Sequence, residues 1–150
     1  MTGLYYEQFK IGMEFKHSLT RTVTEMDNIM FCAMTHNPQP LHLDEEFSKK
    51  TEYGQRIVNS LFTLGLIIGV SVGETTLGTT LGNLGMTDVR FVKPVFHGDT
   101  IRAMTRVKEM RESKSRSNAG LVTFEHFGFN QRDEEVAYCV RTGLMMKQPS

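Results

Sequence analysis

Apolar and polar positions alternate along this chain with changing periods, and each period predicts an element. Met13 to Thr22 follows a Gly12 turn, is rich in strand formers and reads as a strand. Met26, Ile29, Met30, Ala33 and Met34 fall at helical spacing and predict a short helix. Thr24-x-x-Asp27 opens it as a capping box, with Asp in place of the usual Glu. Asp44 is placed to cap a second short helix that Tyr53-Gly54 ends. Its Glu45–Lys49 and Glu46–Lys50 pairs at i,i+4 read as a solvated face. Ile57 to Val72 is apolar nearly all round, through Leu61, Phe62, Leu64, Leu66, Ile67, Ile68 and Val70. The run is short of the roughly 20 residues a membrane span needs and carries Asn59, Ser60, Thr63 and Ser71. It reads as a helix buried on every side, with Asn59-Ser60 as N-caps. Gly65, Gly69 and Gly73 recur every fourth residue and would let a sheet or a second helix come close. Gly73 to Gly85, rich in Gly and Thr, reads as a loop leading into a strand. The remainder is strand-like, at about Asp88 to Pro94, Asp99 to Arg111, Leu121 to Asn130 and Val136 to Lys147. Turn signals at His97-Gly98-Asp99, Ser117 to Gly120 and Arg132-Asp133-Glu134 separate these segments and imply an antiparallel meander.

One wholly apolar helix needs a cover, and a curved antiparallel sheet wrapped around it supplies one. The fold class is therefore α+β. With 150 residues the chain is expected to form one domain over 1–150. Edge strands invite pairing between subunits, so a homodimer or a larger assembly of dimers is expected. The formal net charge is zero, with 17 basic and 17 acidic residues, which argues against a nucleic-acid partner. Cys32 and Cys139 sit in apolar surroundings and read as reduced, buried thiols. The first ten residues show no signal-peptide pattern, and no span fits a membrane, so the cytoplasm is expected. The ten methionines read as gap-fillers of the core.

The chemistry concentrates in Thr35-His36-Asn37-Pro38-Gln39-Pro40-Leu41-His42-Leu43-Asp44. Two imidazoles, an amide and a carboxylate lie within ten positions, and the two prolines forbid regular helix or a central strand there. His42 reads either as an acid/base, since an imidazole titrates near working pH, or as a structural histidine bonded to loop backbone. His97 and His126 read as structural or surface residues, and His17 stands alone. No His/Cys/Asp/Glu set has metal-ligand spacing. There is neither a Gly-rich phosphate loop nor a Gly-x-Ser-x-Gly elbow, so no metal and no cofactor are expected.

Asn37-Pro38-Gln39-Pro40-Leu41-His42-Leu43-Asp44 resembles the hydratase motif of the MaoC-like dehydratases, the (R)-specific enoyl-CoA hydratases of hotdog fold. Ile57-Val58-Asn59-Ser60-Leu61 is similar to the start of that family's central helix, where His-Gly is common in place of Asn59-Ser60. Val89 to Thr100 is similar to the strand and turn that follow the helix. Thr35-x-Asn37-x-Gln39-Pro40-Leu41-His42, Val58-Asn59-Ser60 and Arg111 to Gly120 resemble the branch that contains mesaconyl-CoA hydratases (β-methylmalyl-CoA dehydratases) and itaconyl-CoA hydratases.

The resemblance implies a hotdog fold and reversible addition of water to a short, branched dicarboxylic enoyl-CoA. It implies His42 as the catalytic acid/base. The family's second catalytic residue is an Asp five positions earlier, and here Asn37 stands in its place. An amide holds water but cannot exchange a proton as a carboxylate does. Three explanations stay open. His42 carries both transfers while Asn37 orients water or a substrate carboxylate, or Asp44 or His36 supplies the second function, or the protein binds acyl-CoA without hydrating it. The resemblance also implies that the backbone N–H of Ser60, beside Asn59 at the helix N-terminus, receives the thioester oxygen. Arg90 reads as a ligand of a substrate carboxylate, a ligand of a CoA phosphate, or an ordinary surface arginine. Lys114 and Arg116 form a small basic cluster, either a phosphate contact at a tunnel mouth or a solvated hairpin. A hotdog thioesterase is the alternative enzyme.

Overall fold

The structure, a computed structural model, describes residues 3–149; Met1, Thr2 and Ser150, part of the expected 1–150 domain, lie outside the described residues. A 3₁₀ turn, Tyr6–Gln8, precedes two short strands, β1 (Glu14–Lys16) and β2 (Arg21–Thr22). Helices α1 (Glu25–Met34), α2 (Pro40–Leu43), α3 (Glu45–Ser48) and α4 (Ser60–Thr75) follow. Four long strands close the chain: β3 (Thr80–Phe91), β4 (Thr100–Glu112), β5 (Ala119–Phe129) and β6 (Glu135–Met146).

The strands form one antiparallel sheet in the order β1-β4-β5-β6-β3, with β2 also on β4. The expected strand over Met13 to Thr22 is thus two pieces, both laid along β4. The expected meander holds for β4, β5 and β6. It fails for the first member, because β3 joins β6 at the far edge and does not touch β4 in the sheet. Residues 92–99 instead run past the chain entering α4 and the end of β2. Val58 donates to the Val95 carbonyl (2.8 Å), Gly98 to the Val23 carbonyl (2.8 Å), and Ile57 bridges Phe96. The strand expected from about Asp88 begins at Thr80. Its Gly- and Thr-rich start lies on an exposed edge, where no buried face imposes alternation.

Strand alternation on the concave face sets the core. Ile101, Ala103, Thr105 and Val107 of β4 point inward, as do Val122, Phe124 and His126 of β5. Helix α4 presses Leu64, Ile67 and Val70 onto this face, each side chain contributing about 1.5–3 kcal/mol by burial. Its start is fixed by the Asn59 side chain, whose Oδ1 accepts the Leu61 N–H at 3.0 Å. The helix is not buried on every side: Leu61 is 58% exposed, and a Cβ at Gly65, Gly69 or Gly73 would meet nothing. The glycine that admits the helix is Gly128 of β5, where an added Cβ would stand 2.6 Å from Ile67 Cγ2.

A buried polar band divides the α4 cluster from a second apolar cluster of Phe9, Val107, Val122, Phe124 and Met145. Arg141 Nε donates to His126 Nε2 (3.1 Å), His126 Nδ1 meets Thr105 Oγ1 (3.0 Å), and Thr105 Oγ1 meets His17 Nε2 (2.9 Å). His17 Nδ1 in turn pairs with Glu74. His17 is therefore not alone but one link of a five-residue chain.

Helix α1 carries the predicted capping box: Thr24 N–H donates to Asp27 Oδ2 (2.8 Å) and Asp27 N–H to Thr24 Oγ1 (3.2 Å). Its orientation is the reverse of the one the pattern suggests. The buried residues are Asn28 and Cys32, while Met26, Ile29, Met30 and Met34 are exposed. The methionines therefore do not all fill the core; Met13 and Met86 are exposed as well. Lys49 pairs with Glu46 at i,i+3 (2.6 Å) rather than with Glu45, which joins Arg56. No helix among the described residues is long and apolar enough to cross a membrane.

Candidate active site

The stretch from Thr35 to Asp44 leaves α1 through His36, which takes a left-handed φ of 54°. Asn37 then makes an Asx turn, its Oδ1 accepting the Gln39 N–H at 3.0 Å. The prolines do not exclude helix here. Pro40 sits at the first helical position of α2, where its missing N–H costs nothing. The one-turn helix that results carries His42. Asp44 ends α2 and caps α3, its Oδ1 accepting the Phe47 N–H (2.9 Å).

His42 is oriented by backbone. Its Nδ1 lies 2.9 Å from the Ile57 carbonyl oxygen, which can only accept. Nδ1 therefore carries the proton, and Nε2 keeps a free lone pair on a ring that lines a cleft. The segment is braced from behind. Ile57 N–H donates to the Leu41 carbonyl (3.2 Å), and the buried Ser48 hydroxyl donates to the same oxygen (3.1 Å). Arg56 reaches Glu25 and Glu45, each at 2.7 Å, and so ties α1 to α3.

The brace is centred on Asn28, which is fully buried. Its Nδ2 faces the His42 carbonyl (3.2 Å), the Ile57 carbonyl (3.1 Å) and His97 Nε2 (3.0 Å). Its Oδ1 accepts the Asn59 backbone N–H at 2.8 Å. One carboxamide thus links the His42 turn, the chain entering α4 and the α4 N-cap. His97 is held below its ordinary pKa, by burial first and the Arg56 charge second, which suits an imidazole that accepts from Asn28.

The cleft, about 260 Å³, lies between this loop and the N-terminus of α4. His42 and Tyr53 form one side, Ser60 and Thr63 the helix side, and Ile57, Val58, Val136 and residues 91–95 the remainder. At the helix start, the Leu61 N–H is taken by Asn59 Oδ1 and the Thr63 N–H by the Asn59 carbonyl (3.2 Å). Among the described residues the Ser60 N–H has no partner. It is an orphan donor at the positive end of a 16-residue helix.

Of the residues singled out from the sequence, His42 and Ser60 meet in this cleft. Asn37 and Asn59 are not among the residues that line it: Asn37 turns the loop, and the Asn59 side chain caps α4 and leans on Cys32 Sγ (3.7 Å). Arg90 stacks over the Tyr138 ring at 4.3 Å. Lys114 and Arg116 line a separate cleft of about 370 Å³ with Arg111 and Leu84. Leu84 and Phe91 mark the two clefts on β3 and are separated by roughly 23 Å of strand. Asn28, Ser48 and Thr63 were not anticipated. The one available signal was Asn28 with Cys32 at i,i+4, a second face on α1 that a purely apolar periodicity overlooks.

A curved antiparallel sheet holding a single long helix is the hotdog architecture. The chain belongs to the MaoC like domain family, whose pattern matches residues 7–128. It is similar to a mesaconyl-CoA hydratase of Cereibacter sphaeroides, at 30% identity over 97% of this chain and 42% of the relative. It is also similar to a 3-hydroxybutyryl-CoA dehydratase of Methylorubrum extorquens, at 30% identity over 76% of this chain and 70% of that one. The chain thus spans about two-fifths of the first relative's length. A crystal structure described as a monoamine oxidase regulatory protein from Archaeoglobus fulgius superposes with a TM-score of 0.88. It is 35% identical and covers 99% of this chain and 98% of that one.

Proposed function

We propose that this chain is an acyl-CoA hydratase/dehydratase, a hydro-lyase acting on a short, branched dicarboxylic enoyl-CoA such as mesaconyl-CoA. The observation that carries the reading is the His42 Nδ1 contact with the Ile57 carbonyl, which leaves Nε2 basic opposite the α4 N-terminus. Water addition to a C=C conjugated with a thioester needs a base for the water, an acid for Cα and a donor for the enolate-like oxygen. His42 Nε2 takes the proton as the water oxygen attacks Cβ. The Ser60 N–H and the helix dipole receive the negative charge that gathers on the thioester oxygen. The imidazolium then returns a proton to Cα, so that His42 carries both transfers. Asn37 orients water or a substrate carboxylate with the Nδ2 that its Asx turn leaves free. Asn59 holds the helix start in register.

The chain acts as one MaoC-like unit over 1–150 and pairs with a second copy through β3. Among the described residues that edge has no partner strand, and Leu84, Met86, Val89, Phe91 and Val92 are exposed along it and just beyond it. Antiparallel pairing of two β3 strands about their middle shortens the distance from the Leu84 end of one copy to Phe91 of the other to roughly 13 Å. Arg90, Lys114 and Arg116 are then placed to meet the phosphates of CoA across the pair. The cytoplasm, where CoA esters are made and used, is the proposed location.

The test is hydration of mesaconyl-CoA, followed by loss of its conjugated ultraviolet absorbance. The wild-type protein is expected to turn it over, His42→Ala to abolish turnover, and Asn37→Ala to lower it severely. An unchanged rate in His42→Ala overturns the reading.

A further inference from the structure

Helix α4 carries three hydroxyl side chains on its buried face, and two of them behave as hydroxyls in helices usually do. Ser71 Oγ donates to the Ile68 carbonyl (2.7 Å) and Thr75 Oγ1 to the Ser71 carbonyl (2.6 Å). Thr63 does not. The acceptor it would use, the Asn59 carbonyl, is in place and takes the Thr63 backbone N–H at 3.2 Å. The Thr63 side-chain oxygen nonetheless has no partner, although the residue is only 2% exposed. A buried hydroxyl left unpaired costs about 1–3 kcal/mol, so a group that meets it is worth that much to whatever supplies it.

Among the described residues two other buried side-chain polar atoms lack a partner, Thr79 Oγ1 and Arg141 Nη2, and neither residue lines the cleft. Thr63 does. It stands three residues beyond Ser60, on the same side of the helix and about 4.5 Å further along its axis. Around it the wall is apolar and buried, made by Val58, Val95 and Val136. A simple alkenyl chain would be served by that wall without a hydroxyl and would leave Thr63 unpaired. A chain with an oxygen beyond the thioester would satisfy it. The carboxyl carbons of a trans four-carbon dicarboxylic acyl group stand about 3.8 Å apart, the span of a trans peptide, whose planar geometry they share. With the thioester oxygen on the Ser60 N–H, that span carries the second carboxyl to the level of Thr63.

We propose that Thr63 is a specificity-determining residue whose hydroxyl donates to the distal carboxylate of a dicarboxylic acyl-CoA. The proposal rests on the acyl-CoA reading of the cleft given above and names the group that separates dicarboxylic from simple acyl chains. A hydroxyl built to meet an oxygen rejects the analogue that lacks it, because the unpaired group is then left buried. Thr63 touches no reacting atom in this scheme and acts on recognition alone.

The experiment compares wild type, Thr63→Val and Thr63→Ser on two substrate pairs. The first pair, mesaconyl-CoA against crotonyl-CoA, reads the ratio of kcat/KM. The second, succinyl-CoA against butyryl-CoA, has no C=C and reads the ratio of Kd by calorimetry. Thr63→Val is expected to lower both ratios about 10- to 100-fold, and Thr63→Ser to keep them within about threefold of wild type. Thermal melts of all three proteins show whether the valine variant is folded; if it is not, Thr63→Ala is measured in its place against the same expectation. Ratios that stay unchanged in the valine or alanine variant overturn the Thr63 proposal while leaving the hydratase reading intact. Loss of the succinyl-CoA preference in a protein that hydrates neither enoyl-CoA supports Thr63 and overturns the hydratase reading. Failure to bind any of these CoA esters overturns both.

Discussion

The Asn28 carboxamide oxygen accepts the backbone N–H of Asn59 at 2.8 Å, so a residue in the first turn of α1 sets where α4 begins. The same side chain donates to the His42 carbonyl, and the two halves of the candidate site share one rigid link. Asn28→Ala removes that link and leaves the buried Asn59 N–H and the His42 and Ile57 carbonyls to find other partners. A loss of about 2–4 kcal/mol in urea unfolding is expected. Among molecules that remain folded, kcat should fall more than KM rises, because what is lost is alignment rather than contact with substrate. Asn28→Asp keeps the acceptor for Asn59 but no longer donates. A carboxylate fully buried against the His42 and Ile57 carbonyl oxygens is uncompensated, so this variant should recover neither the stability nor kcat.

Much of this was readable in the chain. The Thr24–Asp27 box and the Asn59 side-chain cap on Leu61 each depend on contacts within a few residues. Local sequence carries such contacts in full. What was not readable depends on contacts between distant segments. Arg141, His126, Thr105 and His17 form a chain only because β1, β4, β5 and β6 are neighbours in register. The start of β3 was hidden because an exposed edge imposes no alternation. The exposure of Met26, Met30 and Met34 was hidden for a different reason: an apolar stripe looks the same whether it meets its own core or another molecule.

The His126 imidazole is fully buried, and its pKa is pushed down to about 3, by burial first, then by the Arg141 charge and then by His17. Its folded value lies below the unfolded value of about 6.5, so the unfolded chain binds the extra proton. The neutral ring's contribution is complete above about pH 6.5 and is lost as the pH falls toward 3. Urea melts at pH 7 and pH 5 should show stability falling by up to about 1.4 kcal/mol per pH unit from this residue. His97, also depressed, acts in the same direction. His126→Gln should flatten the slope across this range, and an equally steep slope in the variant would mean that another group is responsible.

Gly128 is the point of closest approach between sheet and helix. An added Cβ would stand 2.6 Å from Ile67 Cγ2, with Val136 Cγ2 3.5 Å away on the other side. Ile67 is itself fully buried and has no room to retreat. Gly128→Ala is expected to cost about 1–3 kcal/mol by overpacking, read in thermal or urea unfolding. Gly128→Ala with Ile67→Val, which removes a methyl at the contact, should restore part of it, and simple additivity of the two losses would show that the clash is elsewhere.

The exposed apolar residues of β3 and α1 lead to the last prediction. Leu84 is 55% exposed and Val89 39%, both on a 12-residue strand whose outer edge is unpaired among the described residues. Such an edge joins another copy of itself unless charge or proline blocks it. Leu84→Lys with Val89→Lys places four lysines along the seam of an antiparallel self-pair, and lysine on an edge strand blocks edge-to-edge pairing. Sedimentation should give a dimer for wild type and a monomer for the double variant. Both residues belong to the outer strand and not to the buried core, so far-ultraviolet circular dichroism should be preserved. Hydration of mesaconyl-CoA should fall with dimerisation. The Lys114 and Arg116 cleft stands roughly 23 Å of strand from His42's own cleft and comes near a histidine site only across the pair. KM for the CoA ester should therefore rise more than kcat falls, and a monomer with wild-type KM would show that each copy binds CoA by itself.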